Sequence, residues 1–180
     1  MYSQLDDYIP FCEVFVIPYI FWFVFIAGMI LYTAFYDIST FKRFMMYIII
    51  TYSVTLIIYF LFPNCQELRP IVFERDNFLT RFMSGYYQFD TNTNVCPSIH
   101  VIGSLAVMSA GLYIEKFKSP KWKIAFIVTA VLISVSTVFL KQHSIIDLFA
   151  ALPLCAAAHF ICFTEKKSIP KLKKKISEVQ

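Results

Sequence analysis

Charge is what this sequence has least of. Only 16% of its 180 residues are Asp, Glu, Lys or Arg, whereas 58% are hydrophobic and the mean hydropathy is +0.64. A soluble globular domain is nearer a quarter charged, so an ordinary water-soluble domain is excluded. The first ten residues, MYSQLDDYIP, hold two aspartates and no Lys or Arg. The charged n-region of a secretory signal is therefore missing, and no removable signal peptide is expected. Repeated alternating segments of about ten residues, the mark of a membrane β-barrel, are missing too. There is no internal repeat and no low-complexity tract apart from a basic tail. Nor is there an acidic or Cys/His cluster of the kind that holds Mg²⁺ or Zn²⁺. No metal, no other cofactor and no nucleic-acid partner is expected.

What the chain does have is apolar length. Several stretches reach the ~20 residues needed to cross a bilayer core. Five candidate spans run over 14–36, 44–63, 98–115, 122–140 and 143–163. Pro18 kinks or starts the first; Pro63-Asn64 stops the second, and Ser119-Pro120 turns the chain between the third and fourth. The expected fold is all-α, a polytopic membrane helical bundle of about five transmembrane helices. It forms a single integral membrane domain over 1–180, with a catalytic core at about 60–150 and a basic tail at 164–180.

The basic residues predict which way the bundle faces. Lys42 and Arg43 fall between spans one and two, and Lys116, Lys118, Lys121 and Lys123 between three and four. Lys166, Lys167, Lys171, Lys173, Lys174 and Lys175 follow the fifth. Five spans put all three segments on one side, which the positive-inside rule makes cytoplasmic. The C-terminus is then cytoplasmic as well. Arg69, Arg75, Arg81 and Lys141 are left on the outer side, against the bias. An anionic substrate would give them a reason to be there; pairing of Arg75 and Arg81 with Glu74, Asp76 or lipid headgroups is the alternative.

Two short motifs open apolar stretches on that outer side: Pro97-Ser98-Ile99-His100 and His143-Ser144-Ile145-Ile146-Asp147. At i and i+4, His143 and Asp147 share a helix face, so the carboxylate can accept the imidazole N–H and leave the other nitrogen as a nucleophile or base. An ionisable pair within a span is costly and points to function, although it could also staple two helices together. His100 stands at the mouth of its own span. Both histidines thus lie at helix N-termini, where free N–H groups and the dipole favour a phosphate. Ser98 can cap its helix or donate to a phosphate oxygen. Arg69 offers a forked, permanently charged donor. His159, deep in the last span without a nearby acid, reads as an interhelical hydrogen-bonding or packing residue.

In order, Arg69-Pro70, Pro97-Ser98-Ile99-His100, and Ser136 with His143 and Asp147 resemble the three motifs of the type-2 phosphatidic acid phosphatase superfamily, which also includes vanadium haloperoxidases. Those motifs are KxxxxxxRP, PSGH and SRxxxxxHxxxD, and the resemblance covers roughly residues 60–150. Phe62 stands where the pattern has lysine, Thr137 where it has arginine and Ile99 where it has glycine. Lys141-Gln142-His143 is similar to a divergent branch, the inositol-phosphorylceramide-synthase-like members, with Lys141 placed to restore a missing cation.

The resemblance implies a metal-independent lipid-phosphate phosphohydrolase with its active site at the outer membrane–water interface. Substrates would be of the phosphatidate, phosphatidylglycerol phosphate or polyprenyl diphosphate class. His143 would form a phosphohistidine, Asp147 would orient it, and His100 would serve the leaving oxygen. Arg69, Ser98 and Lys141 would bind the phosphate. The expected setting is a bacterial plasma membrane, with membrane lipids and the lipid phosphate as partners. Two rival readings are a phosphotransferase that passes the group to an alcohol and a degenerate, lipid-binding member. Between the spans, Phe78 to Tyr87 predicts a short amphipathic helix at the interface, as a lid or an anchor. Cys12, Cys155 and Cys162 read as small apolar residues, while Cys65 and Cys96, each beside a motif, are a candidate disulfide.

Overall fold

A computed structural model describes residues 1–164; the basic tail lies outside the described residues from 165 onward. Every long element is a helix. They are α1 (Val16–Tyr36), α2 (Ile38–Leu61), α3 (Phe78–Phe89), α4 (Ile99–Tyr113), α5 (Pro120–Phe139) and α6 (Ile145–His159), which continues as a π-turn, Phe160–Thr164. Four are long and apolar enough to cross a membrane, counting α1 from Glu13 and α6 to Thr164, and α4 is a shorter apolar helix. The chain is a helical membrane bundle, as its apolar runs predict.

α4 is short and central. Ten of its fifteen residues are buried, from His100 to Gly111, and it packs against α1, α2, α5 and α6. Two glycines let its neighbours close in. A Cβ on Gly103 would sit 2.7 Å from Ile26 Cδ1 and 2.9 Å from Trp22 Nε1, and one on Gly111 would sit 2.7 Å from the Phe126 ring. The outer helices carry apolar side chains on their exposed faces as well, among them Val24, Ile49, Phe60, Val128 and Phe149. Such helices suit a surrounding hydrocarbon rather than water.

The link between α1 and α2 is a single residue. Asp37 caps α2, accepting from the Thr40 N–H at 3.0 Å and its hydroxyl at 2.7 Å. This corrects the expected gap at 37–43: Lys42 and Arg43 lie in the first turns of α2 and not in a loop. Arg43 reaches across to the π-turn and donates to the Cys162 carbonyl at 2.6 Å. His159 bonds the Ser109 hydroxyl on α4 at 3.0 Å, the interhelical role its position predicts.

Between α2 and α4 the chain crosses one end of the bundle. Asn64 gathers this crossing. Its side-chain oxygen accepts from the Val95 and Cys96 N–H groups at 2.8 and 2.9 Å, and its amide donates to the Cys96 carbonyl at 3.1 Å. α3 matches the expected short helix, with Asn77 and Thr80 forming a capping box at its start. Phe78 and Phe89 point outward while Met83 is buried. Arg81 pairs with Asp76, and Arg75 with Glu13, so both cations have structural partners.

The N-terminal segment straps this end. Asp6, fully buried, accepts the Ser144 hydroxyl at 2.6 Å and the Ile145 N–H at 2.9 Å, while its carbonyl accepts from Lys141 Nζ at 2.6 Å. Asp6 thereby caps α6 from outside that helix. Asp6→Ala leaves a buried hydroxyl and a helix N–H without acceptors, at a cost of about 2 kcal/mol. The expected result is a melting temperature lower by about 4–8 °C, measurable by thermal unfolding in detergent.

Candidate functional site

The site is built on the turn between α5 and α6. α5 ends when Lys141 adopts a left-handed conformation, φ 53°, the usual device for closing a helix C-terminus. The Gln142 and His143 N–H groups fold back onto the Thr137 carbonyl at 2.9 and 3.1 Å. Gln66, buried beneath, donates to the carbonyls of Lys141 and Gln142 at 2.9 and 3.3 Å. The backbone that presents His143 is therefore held from both sides.

His143 Nδ1 lies 3.3 Å from Asp147 Oδ2, with both side chains buried. The same oxygen accepts the Ser144 N–H at 3.0 Å, completing a capping box at the start of α6. A carboxylate only accepts, so Nδ1 is the donor in this contact. His100 faces this pair across 5.7 Å between ring centroids. Its other faces are walled by Tyr19, stacked at 4.7 Å, and Trp22 at 4.5 Å. The α4 cap is fixed to α6 as well, since the Ser98 N–H donates to the Asp147 carbonyl at 3.2 Å.

Between the histidines lies a cavity of about 50 Å³, whose wall includes Asp90, Asn94, His100, Gln142 and His143. That is room for a few waters or one phosphoryl group. Among the described residues, His100 Nδ1 in this wall has no hydrogen-bond partner, and neither do Ser98 Oγ beside it in sequence nor Arg69 Nε, whose guanidinium reaches Gln142. Buried polar atoms are seldom left so. Among the described residues, no three His, Cys, Asp or Glu side chains converge as metal ligands would.

The structure thus brings His100, His143 and Asp147 together, with Ser98 behind them. Arg69 stands one residue removed: it donates to the Tyr87 carbonyl at 3.0 Å, lies over the Tyr87 ring, and hands a second N–H to the Gln142 side chain. Lys141 is not in the cavity wall. Its left-handed backbone sends the ammonium to Asp6, so it ties down the strap and does not supply a cation to the pocket. Of the two positions where the motifs have a cation, Phe62 is exposed, and Thr137 is buried with its hydroxyl bonded to its own helix.

Cys65 and Cys96 are both free thiols, which corrects the expected disulfide. Asn64 performs the joining instead, and Cys65 pairs by backbone with Thr93. Residues that sequence reasoning passed over include Asp90, which accepts from the Tyr19 hydroxyl at 3.2 Å and the Gln142 amide at 3.4 Å. Tyr19, Trp22, Gln66 and Asp6 were equally silent, because nothing local marks them. Gln142 alone had a signal, in its place beside His143. Comparison with family models, with curated proteins and with solved structures gives no match.

Burial pushes the Cys96 thiol up to about 12, with the Asp147 carboxylate adding to the effect, whereas Cys65 is exposed. Only the thiolate alkylates. At about pH 8, iodoacetamide is expected to label Cys65 in the native protein and leave Cys96 unlabelled, as read by peptide mass spectrometry; denaturation exposes both.

Proposed function

We propose that this protein is a membrane phosphohydrolase that cleaves lipid phosphates through a phosphohistidine. The observation that carries this reading is a buried, Asp-oriented His143 facing His100 across one small polar cavity. His143 Nε2 attacks phosphorus and the bond to the leaving oxygen breaks. His100 gives that oxygen a proton. A water then attacks the phosphohistidine, His100 takes its proton, and the P–N bond breaks to release phosphate. Asp147 holds the imidazole in the required tautomer and stabilises its positive charge. Ser98 and the guanidinium of Arg69 supply hydrogen bonds as charge builds on the equatorial oxygens.

A lipid is favoured as the carrier of the phosphate. An apolar groove of about 830 Å³ runs between α1, α3 and α5, lined by Val16, Ile20, Phe21, Phe82 and Leu132 among others. The α1 segment that lines it also contributes Tyr19 and Trp22 to the wall around His100. The excess of Lys and Arg at the opposite end of the bundle favours a site facing away from the cytoplasm, and a bacterial plasma membrane is the setting proposed for it.

Purified protein with EDTA present is expected to release phosphate from a panel of phosphatidate, phosphatidylglycerol phosphate and polyprenyl diphosphate. His143→Ala should show no release above background. Asp147→Asn should retain the fold and lose about 10³–10⁴ in kcat, the scale for a misoriented imidazole. Release by His143→Ala equal to that of wild type would overturn the reading.

A further inference from the structure

Asp90 is an unexpected neighbour for a phosphate. It ends α3, where an acidic residue opposes the helix dipole, and its N–H still bonds the Tyr86 carbonyl at 2.8 Å. Local helix energetics therefore do not favour it. The hydrogen bonds its carboxylate accepts, from Tyr19 and Gln142, go to Oδ2. Oδ1 accepts none among the described residues, and Asp90 forms part of the cavity wall.

The surrounding charges make this consequential. Facing Asp90 are Tyr19 on α1, Tyr86 and Tyr87 on α3, Arg69 on the crossing segment, His100 on α4, and Gln142 and His143 on the turn before α6. Asp147 stands behind His143. The only permanently cationic group in this set is Arg69, against the carboxylates of Asp90 and Asp147. Burial pulls the Arg69 pKa down, and Asp90 is the chief influence holding it up, so part of the cation's field is already committed. Lys141 is engaged by Asp6, and no cation stands at Phe62 or Thr137. A doubly ionised phosphoryl group would meet one guanidinium and a carboxylate at once.

Resting on the phosphoryl-binding reading of this cavity, we infer that Asp90 is a charge filter that makes the site prefer phosphates bearing a single negative charge. Singly charged lipid phosphates, whether monoesters below their second ionisation or diesters, are favoured over fully ionised ones. With a diester, His143 attacks phosphorus, one P–O bond breaks, and His100 protonates the departing lipid alcohol. The second ester stays on phosphorus; water or an alcohol oxygen then attacks, His100 takes its proton, and the P–N bond to His143 breaks to release a monoester or a new diester. A monoester enters readily only below its second ionisation.

Binding tests this without requiring turnover. Dodecylphosphonic acid carries one charge at roughly pH 5 and two at roughly pH 9, on either side of the second ionisation of such a group; its monomethyl ester carries one at both. Titration calorimetry on the full chain in detergent should show the acid weakening by about tenfold or more relative to the ester between those pH values. Asp90→Asn should remove most of that gap by strengthening the doubly charged acid, and Asp90→Ser should act in the same direction. The ratio of two ligands on one sample is unaffected by any loss of folded protein, and comparison of wild type with Asp90→Asn at one pH isolates the carboxylate. An acid-to-ester ratio that Asp90→Asn leaves unchanged at both pH values would overturn the filter while sparing the phosphoryl site. Failure of wild type to bind either ligand would overturn the phosphoryl site and the filter together.

Discussion

One carboxylate oxygen joins the fold to its candidate site. Asp147 Oδ2 accepts the Ser144 N–H and, 3.3 Å away, the His143 imidazole. The first contact starts α6, and the second orients the His143 ring. A helix cap is ordinarily a local matter worth about 1 kcal/mol. Here the same atom fixes where that ring points, so the accuracy of the site is inherited from the accuracy of a helix start. The α4 cap leans on the same residue through the Ser98 N–H, which is how two histidines from separate helices come to face one cavity.

Around that atom the protein spends polar contacts freely in an otherwise apolar molecule. Gln66, Gln142, Asn64, Asp6 and Asp90 are all gathered at one end of the bundle, and each satisfies backbone or side-chain groups that hydrocarbon could not. The remaining length of the helices is mostly apolar, and hydroxyls such as those of Thr33, Thr51 and Ser104 are bonded back to their own helices. This division is economical. Packing against α4 holds the helices together, and the polar end can then be arranged for binding rather than for cohesion. Arg69 illustrates the result: it reaches the pocket through Gln142 and Tyr87, which hold its planar fork while leaving Nε without a partner.

Hydropathy made the bundle legible, because apolar runs of span length have few other destinations. Hydrogen-bonding spacing made His143 and Asp147 legible, since i and i+4 on a helix leave little choice of geometry. The N-terminal placement of His100 came from the same reasoning. Lys141 misled because neighbourhood in sequence says nothing about direction: one left-handed residue turns its side chain away and brings Gln142 to the wall. Cys65 and Cys96 misled for a similar reason, as nearness to motifs is not the geometry of a bridge. Asp6 and Asp90 were out of reach altogether. Their roles depend on partners far along the chain, and neither belongs to a periodic pattern.

The bond from Asp6 to Ser144 spans 138 residues, and that separation orders the making of the protein. α1 and α2, joined by one residue, can enter the bilayer as an antiparallel pair while most of the chain is still unsynthesised. The strap precedes α1 and the α6 cap follows α5, so this bond cannot close until α6 has been made. The polar end of the bundle is completed only then. A nascent chain halted before that point can carry its earlier helices into the membrane but lacks the facing of His100 and His143.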